Sequence, residues 1–101
     1  MNETIQVLMN RKSVRVFEDK EITPEIKDII LAVAMRAPTG GNCMPYSIID
    51  VTDQSIKDKL AETCDHQPFI AQAKMVLIFC ADYHRWYRKF KMAGCEDIPA
   101  P

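Results

Sequence analysis

Residues 37–51 read Ala37-Pro38-Thr39-Gly40-Gly41-Asn42-Cys43-Met44-Pro45-Tyr46-Ser47-Ile48-Ile49-Asp50-Val51, and this passage decides the fold. Its first half is turn chemistry: a proline, two adjacent glycines and an asparagine stop whatever precedes them. Its second half, Tyr46 to Val51, is rich in β-formers and predicts a strand. The chain has only three glycines, so placing two of them side by side makes this the strongest loop signal. Glycine lets backbone approach a ligand with no Cβ in the way. Thr39 and Asn42 add a hydroxyl and an amide, and an amide can pair with a ring that both donates and accepts. Taken alone, such a passage is more often a plain turn.

Upstream, Thr23-Pro24-Glu25 is a helix start, with a capping hydroxyl, a proline suited to the first helical position and an acid at the positive end of the dipole. The helix is predicted to run to about Arg36, with Ile26, Ile29, Ile30, Val33 and Ala37 forming its buried face. Ile5, Leu8 and Met9 predict a short amphipathic helix over residues 3–10. Residues 11–22 read as irregular, with a brief extended piece at Val14 to Phe17.

Downstream, Asp53 is placed to cap a helix carrying Ile56, Leu60 and Cys64. Residues 68–73 predict a short helix with Phe69 and Ile70 inward. Met75-Val76-Leu77-Ile78-Phe79-Cys80-Ala81 is a continuous apolar run, which predicts a strand buried on both faces with helices on either side. Asp82 can cap a last helix from Tyr83 to about Met92, on which Trp86 and Phe90 share a buried face while Arg85, Arg88, Lys89 and Lys91 fill the rest. The tail 98–101 reads as extended. Two strands are a marginal sheet in water, so the pattern asks for neighbours that the chain barely supplies.

Composition narrows the function. The chain has 101 residues, 48% hydrophobic, with 13 Lys and Arg against 14 Asp and Glu for a net charge of -1. That supports a folded domain and argues against a dedicated nucleic-acid binder, which carries a basic excess. No apolar run is long enough to span a membrane, and the start lacks a secretory signal pattern. Cys43, Cys64, Cys80 and Cys95 are spaced by 21, 16 and 15 residues with no CxxC. No metal site is expected, nothing near Cys80 and His84 completes a ligand set, and the thiols read as reduced and mostly buried, which suits a cytoplasmic protein.

Any anion site must therefore be local. Arg11-Lys12-Ser13-Val14-Arg15 places three cations and a hydroxyl within five residues. In an extended segment Arg11, Ser13 and Arg15 point to one side, where two guanidinium forks and a hydroxyl can grip a phosphate. A basic pentapeptide by itself is usually a solvated patch.

Together these segments resemble one family. Arg-Lys-Ser-Val-Arg, a helix opened by Thr-Pro-Glu, Ala-Pro-Thr-Gly-Gly-Asn-x-x-Pro-Tyr before a strand, and Gln67-Pro68-Phe69-Ile70 leading into Lys74 to Asp82 are similar to the nitroreductase family over about residues 3–90. The resemblance implies an α+β fold with helices on both faces of a small mixed or antiparallel sheet, here one truncated domain, residues 1–101, equivalent to the amino-terminal half. It implies FMN as cofactor, NAD(P)H as reductant, and a nitroaromatic or quinone-like small molecule as acceptor. The chemistry then lies on the flavin, so no catalytic side chain is expected. Arg11, Lys12, Ser13 and Arg15 resemble residues contacting the FMN phosphate, ribityl chain and pyrimidine edge. Thr39, Gly40 and Asn42 look like the loop beside the flavin ring, and Gln67 like a polar residue near it.

Three positions depart from the pattern. Lys12 stands where Arg or His is common and loses the fork. Met44 replaces a common Gln and cannot donate a hydrogen bond. Tyr46 replaces a common Trp and is expected to pack in the core. The family's interface helix, further strands and remaining phosphate-site cations are expected beyond this chain, so a homodimer or a complementing second-half chain is the expected partner. The alternative from another class is a catalytically silent oligomerising domain that keeps the scaffold and has lost the cofactor.

Overall fold

The computed structural model describes residues 2–97, 99 and 100, so Ile98 and Pro101 of the predicted extended tail lie outside the described residues. Its elements in chain order are α1 (Glu3–Asn10), α2 (Pro24–Ala34), a 3₁₀ turn (Gly40–Asn42), β1 (Tyr46–Val51), α3 (Gln54–Thr63), α4 (Phe69–Gln72), β2 (Val76–Ala81) and α5 (His84–Met92). The architecture is α+β, with helices flanking one antiparallel two-stranded sheet. Tyr46 pairs with Ala81 and Val51 with Val76. Residues 11–22 are irregular as expected, and the extended piece at residues 14–17 forms no strand.

Local chemistry sets the boundaries. The Thr23 hydroxyl accepts from the Ile26 N–H, with Pro24 next to it in the first turn. Asp53 accepts from the backbone N–H of Ser55, also bonds its hydroxyl, and caps α3. These bonds satisfy donors that a helix start leaves open.

Burial is sparse. Among the described residues only Val51, Lys57 and Ala61 are buried. The Cα radius of gyration is 17.9 Å, against about 13 Å for a compact domain of this length. α4 is tied to α3 at both ends. The Gln67 N–H donates to the Ala61 carbonyl at 2.8 Å. At the other end, Gln54 Nε2 donates to the Ala71 carbonyl at 2.9 Å and Lys57 Nζ to that of Ala73 at 3.3 Å.

Three expectations are corrected. The isoleucine face of α2 points outward, with Ile29 62% and Val33 66% exposed. The half-buried residues are Lys27, Leu31 and Ala34, at the helical spacing of a second stripe. Lys27 Nζ reaches Asp50 Oδ2 on β1, so an ion pair helps to decide which stripe meets the sheet. β2 is not buried on both faces: Phe79 is 60% exposed, so its face of the strand lacks a covering layer. The thiols are not mostly buried: Cys43 and Cys80 are half-buried, while Cys64 and Cys95 are exposed.

Candidate functional site

The basic segment leaves α1 in extended conformation, with Arg11 at φ -60° and ψ 136°. Arg11, Lys12, Ser13 and Arg15 are all exposed. Arg15 lies over the Phe69 ring with its guanidinium carbon 5.7 Å from the centroid. Phe17 meets the same ring edge-on at 6.3 Å. α4 therefore offers the end of the segment an aromatic platform, a contact of about 0.5–1 kcal/mol at an exposed site that leaves the guanidinium's donors free. Gln67 lies one residue before the Pro68 cap of α4, and its side-chain nitrogen donates to the Cys64 carbonyl at 2.9 Å. The structure thus brings Arg15 to the element that Gln67 opens. Arg11, Lys12 and Ser13 make no ion pair or side-chain hydrogen bond among the described residues, so their donors are available.

The other candidate segment is the turn. Thr39 is half-buried, whereas Gly40, Gly41 and Asn42 are exposed. Gly41, Asn42 and Met44 all take left-handed φ, at 58°, 54° and 49°. Glycine is indifferent to this and asparagine tolerates it, but Met44 is held against a penalty of about 1–2 kcal/mol. The Thr39 hydroxyl accepts from the Met44 N–H at 3.1 Å, and Asn42 N–H donates to the Thr39 carbonyl at 3.0 Å. From outside the turn, Trp86 Nε1 donates to the Cys43 carbonyl at 2.6 Å. The Arg85 guanidinium donates to the carbonyls of Met44 and Cys43. Each such bond contributes about 1 kcal/mol net, more when one partner is charged, so together they outweigh the strain at Met44.

Asp82 joins this network at the junction of β2 and α5. Its Oδ2 accepts from the Ser47 hydroxyl, its Oδ1 from the Arg85 N–H at 3.3 Å, and its own N–H donates to the Pro45 carbonyl at 2.8 Å. As expected from sequence, Asp82 thus serves the start of α5. The Ser47 bond, then the Arg85 N–H, lower its pKa below the ordinary 3.8. A depressed carboxylate stabilises the fold above its unfolded value and loses that contribution as pH falls through the folded value. The Arg85 amide shift should accordingly titrate in NMR with a midpoint below 3.8; a midpoint at or above that value would contradict the network.

Two clefts lie elsewhere, beneath residues 16–22. Volumes of about 560 and 520 Å³ open there, with Phe17, Glu21, Ala73 and Lys74 lining both, and none of the eight residues proposed from sequence lines either. Lys74 Nζ holds Asp19 at 2.9 Å and Glu21 at 3.2 Å across this region. Their hydrogen bonds raise the Lys74 pKa and lower that of Asp19. Sequence reasoning missed Arg85 and Trp86 as supports of the turn. They lie more than 40 residues away along the chain, and no local pattern encodes such a contact.

The fold and the site define an α+β unit with an open cationic segment at one end of a helix and a strained, glycine-bearing turn before a strand. The model of the nitroreductase family matches residues 8–98, and the chain belongs to that family. It is similar to the FMN reductase (NAD(P)H) of Bacillus subtilis, 36% identical over 85 residues that cover 84% of this chain and 34% of that protein. The solved NfrA2 of B. megaterium superposes with a TM-score of 0.88 at 34% identity, covering 100% of this chain and 40% of that one. The NADPH:FMN oxidoreductase of Vibrio harveyi, solved with NAD+, gives 0.85 at 28% identity over 98% and 41%. The chain therefore spans between a third and about two fifths of these relatives. Among the described residues no helix is long and apolar enough to cross a membrane.

Proposed function

We propose that this chain forms the amino-terminal part of an FMN-dependent oxidoreductase that passes reducing equivalents from NAD(P)H to a nitroaromatic or quinone-like acceptor. Family membership supports the reading, as do the flavin and nicotinamide names of the relatives. The observation that carries it is the set of donors on Arg11, Lys12 and Ser13 that are unengaged among the described residues, continued by Arg15 against the Phe69 ring. Two guanidiniums, an ammonium and a hydroxyl suit a phosphate monoester and the polar chain attached to it. Arg11, Lys12, Ser13 and Arg15 would hold the phosphate end, and Thr39, Gly40, Asn42 and Gln67 would lie by the ring. When bound, FMN supplies the redox chemistry. The protein's own part is to orient the cofactor and to balance its charge.

The uncovered isoleucine stripe of α2 supports a polypeptide partner, either a second copy or a chain bearing the remaining part of the family fold. Four free cysteines suit a reducing cytoplasm. The test is titration of the chain with FMN, followed by quenching of flavin fluorescence. Saturable quenching that weakens as salt is raised is expected, because the phosphate contact is ionic. Emission unchanged at millimolar FMN, with or without the partner half of a relative, would overturn the reading.

A further inference from the structure

We infer that Arg85 and Trp86, at the start of α5, are positioning residues that lock the 39–44 turn in its left-handed form and so fix the edge it offers to a flavin ring. The inference rests on the flavin reading for its last clause only. Three residues of a four-residue stretch, Gly41, Asn42 and Met44, have positive φ. Such a run is unusual for non-glycine residues and persists only where surroundings over-determine it. Inside the turn the side-chain restraints are the Thr39 hydroxyl on the Met44 N–H and a long bond from the Cys43 thiol to the Gly41 carbonyl at 3.8 Å. The others come from α5. Trp86 Nε1 takes the Cys43 carbonyl at 2.6 Å, and Arg85 takes the Met44 carbonyl and, at 3.4 Å, that of Cys43.

The direction of these bonds matters. Both carbonyls at the strained end are turned toward α5, so the peptide planes on either side of Met44 cannot flip without breaking them. The exposed side of the turn, with Gly40, Gly41 and Asn42, is thereby left in one orientation. Arg85 is itself fixed, because its N–H bonds Asp82, which also holds the Ser47 hydroxyl on β1. Trp86 is half-buried and its ring meets Phe90 at 5.9 Å. The clamp is therefore anchored to sheet and helix and does not drift with the loop. A planar guanidinium can serve two neighbouring carbonyls at once, which an ammonium does less well.

The experiment compares the full chain with R85M, R85K, W86F and the double variant R85M/W86F, using R88A on the exposed side of α5 as control. Amide hydrogen exchange at Asn42, Cys43 and Met44 is read without cofactor, and FMN affinity by fluorescence. Exchange at these amides should quicken at least tenfold in the double variant, less in each single one, with R85K between R85M and the parent and R88A unchanged. FMN affinity should fall in the same order, and the bound-flavin absorption band should shift toward that of free FMN. Unfolding midpoints within a few degrees of the parent would show that the fold survives. Were the midpoint to collapse in the double variant, W86F, which keeps an aromatic ring, must still show faster exchange. Unchanged exchange in W86F and R85M overturns the clamp. Faster exchange in a chain whose parent binds no FMN leaves the clamp standing and sinks the flavin reading alone.

Discussion

Replacing Arg11 and Arg15 together by alanine is expected to lower FMN affinity by on the order of 10²- to 10⁴-fold, since each hydrogen bond to a charged group contributes about 1.5–3 kcal/mol and about 1.4 kcal/mol is a factor of ten. The net charge of the chain is only -1, so no general field can substitute for a local cluster. The two arginines should differ in kind. Arg11 makes no ion pair or side-chain hydrogen bond among the described residues, and R11A should weaken binding with the unfolding midpoint unchanged. Arg15 also rests on Phe69, so R15A removes a charge and frees an aromatic ring, while R15K keeps the charge and loses the fork. Fluorescence titration at two salt concentrations is the measurement, with circular dichroism to follow stability. The salt dependence should flatten as each cation is removed. Affinity that is unchanged in the double variant would mean that the phosphate is held elsewhere.

How much of this was legible in the sequence depends on the range over which each feature is determined. The helix starts at Thr23 and Asp53 were readable because a cap is chosen by three or four consecutive residues, and both side chains make the predicted bonds. β1 was readable for a similar reason, lying between turn residues and a cap. The inward face of α2 was not. Ile26, Ile29, Ile30 and Val33 form the stronger apolar stripe, but periodicity reports that a face exists and not what stands opposite. Asp50, half-buried on β1, draws Lys27 inward, and the isoleucines are left outside. The apolar run of β2 misled in the same way: it encodes a strand made for covering layers, whatever share of them this chain provides. At the candidate site the Arg11 to Arg15 and Thr39 to Asn42 motifs named the residues to look at. Their supports were not legible, because Phe69 under Arg15 and Arg85 and Trp86 behind the turn are set by packing between distant segments.

Lys57 tests the other end of this construction. It is 8% exposed, the only buried charged residue among those described, and its ammonium makes one rather long bond, 3.3 Å to the Ala73 carbonyl. Two contributions compete. A bond from a charged donor stabilises by about 1.5–3 kcal/mol at best, whereas taking an ammonium out of water costs several. The methylene stem, buried with the rest of the side chain, brings the ordinary gain of apolar burial. If the stem dominates, K57M, which keeps its length and drops the charge, should leave stability within about 1 kcal/mol of the parent. K57A should cost about 2–3 kcal/mol, as a large-to-small change in a small core does. Denaturant unfolding of the two variants separates the alternatives, and equal losses in both would assign the role to the ammonium. The consequence reaches the candidate site. Lys57 and Gln54 together hold the carboxyl end of α4, and α4 carries the Phe69 ring beneath Arg15. Both variants lose the bond to Ala73, but K57M keeps the stem, so K57A should weaken FMN binding more than K57M does, although neither side chain is placed to touch the phosphate.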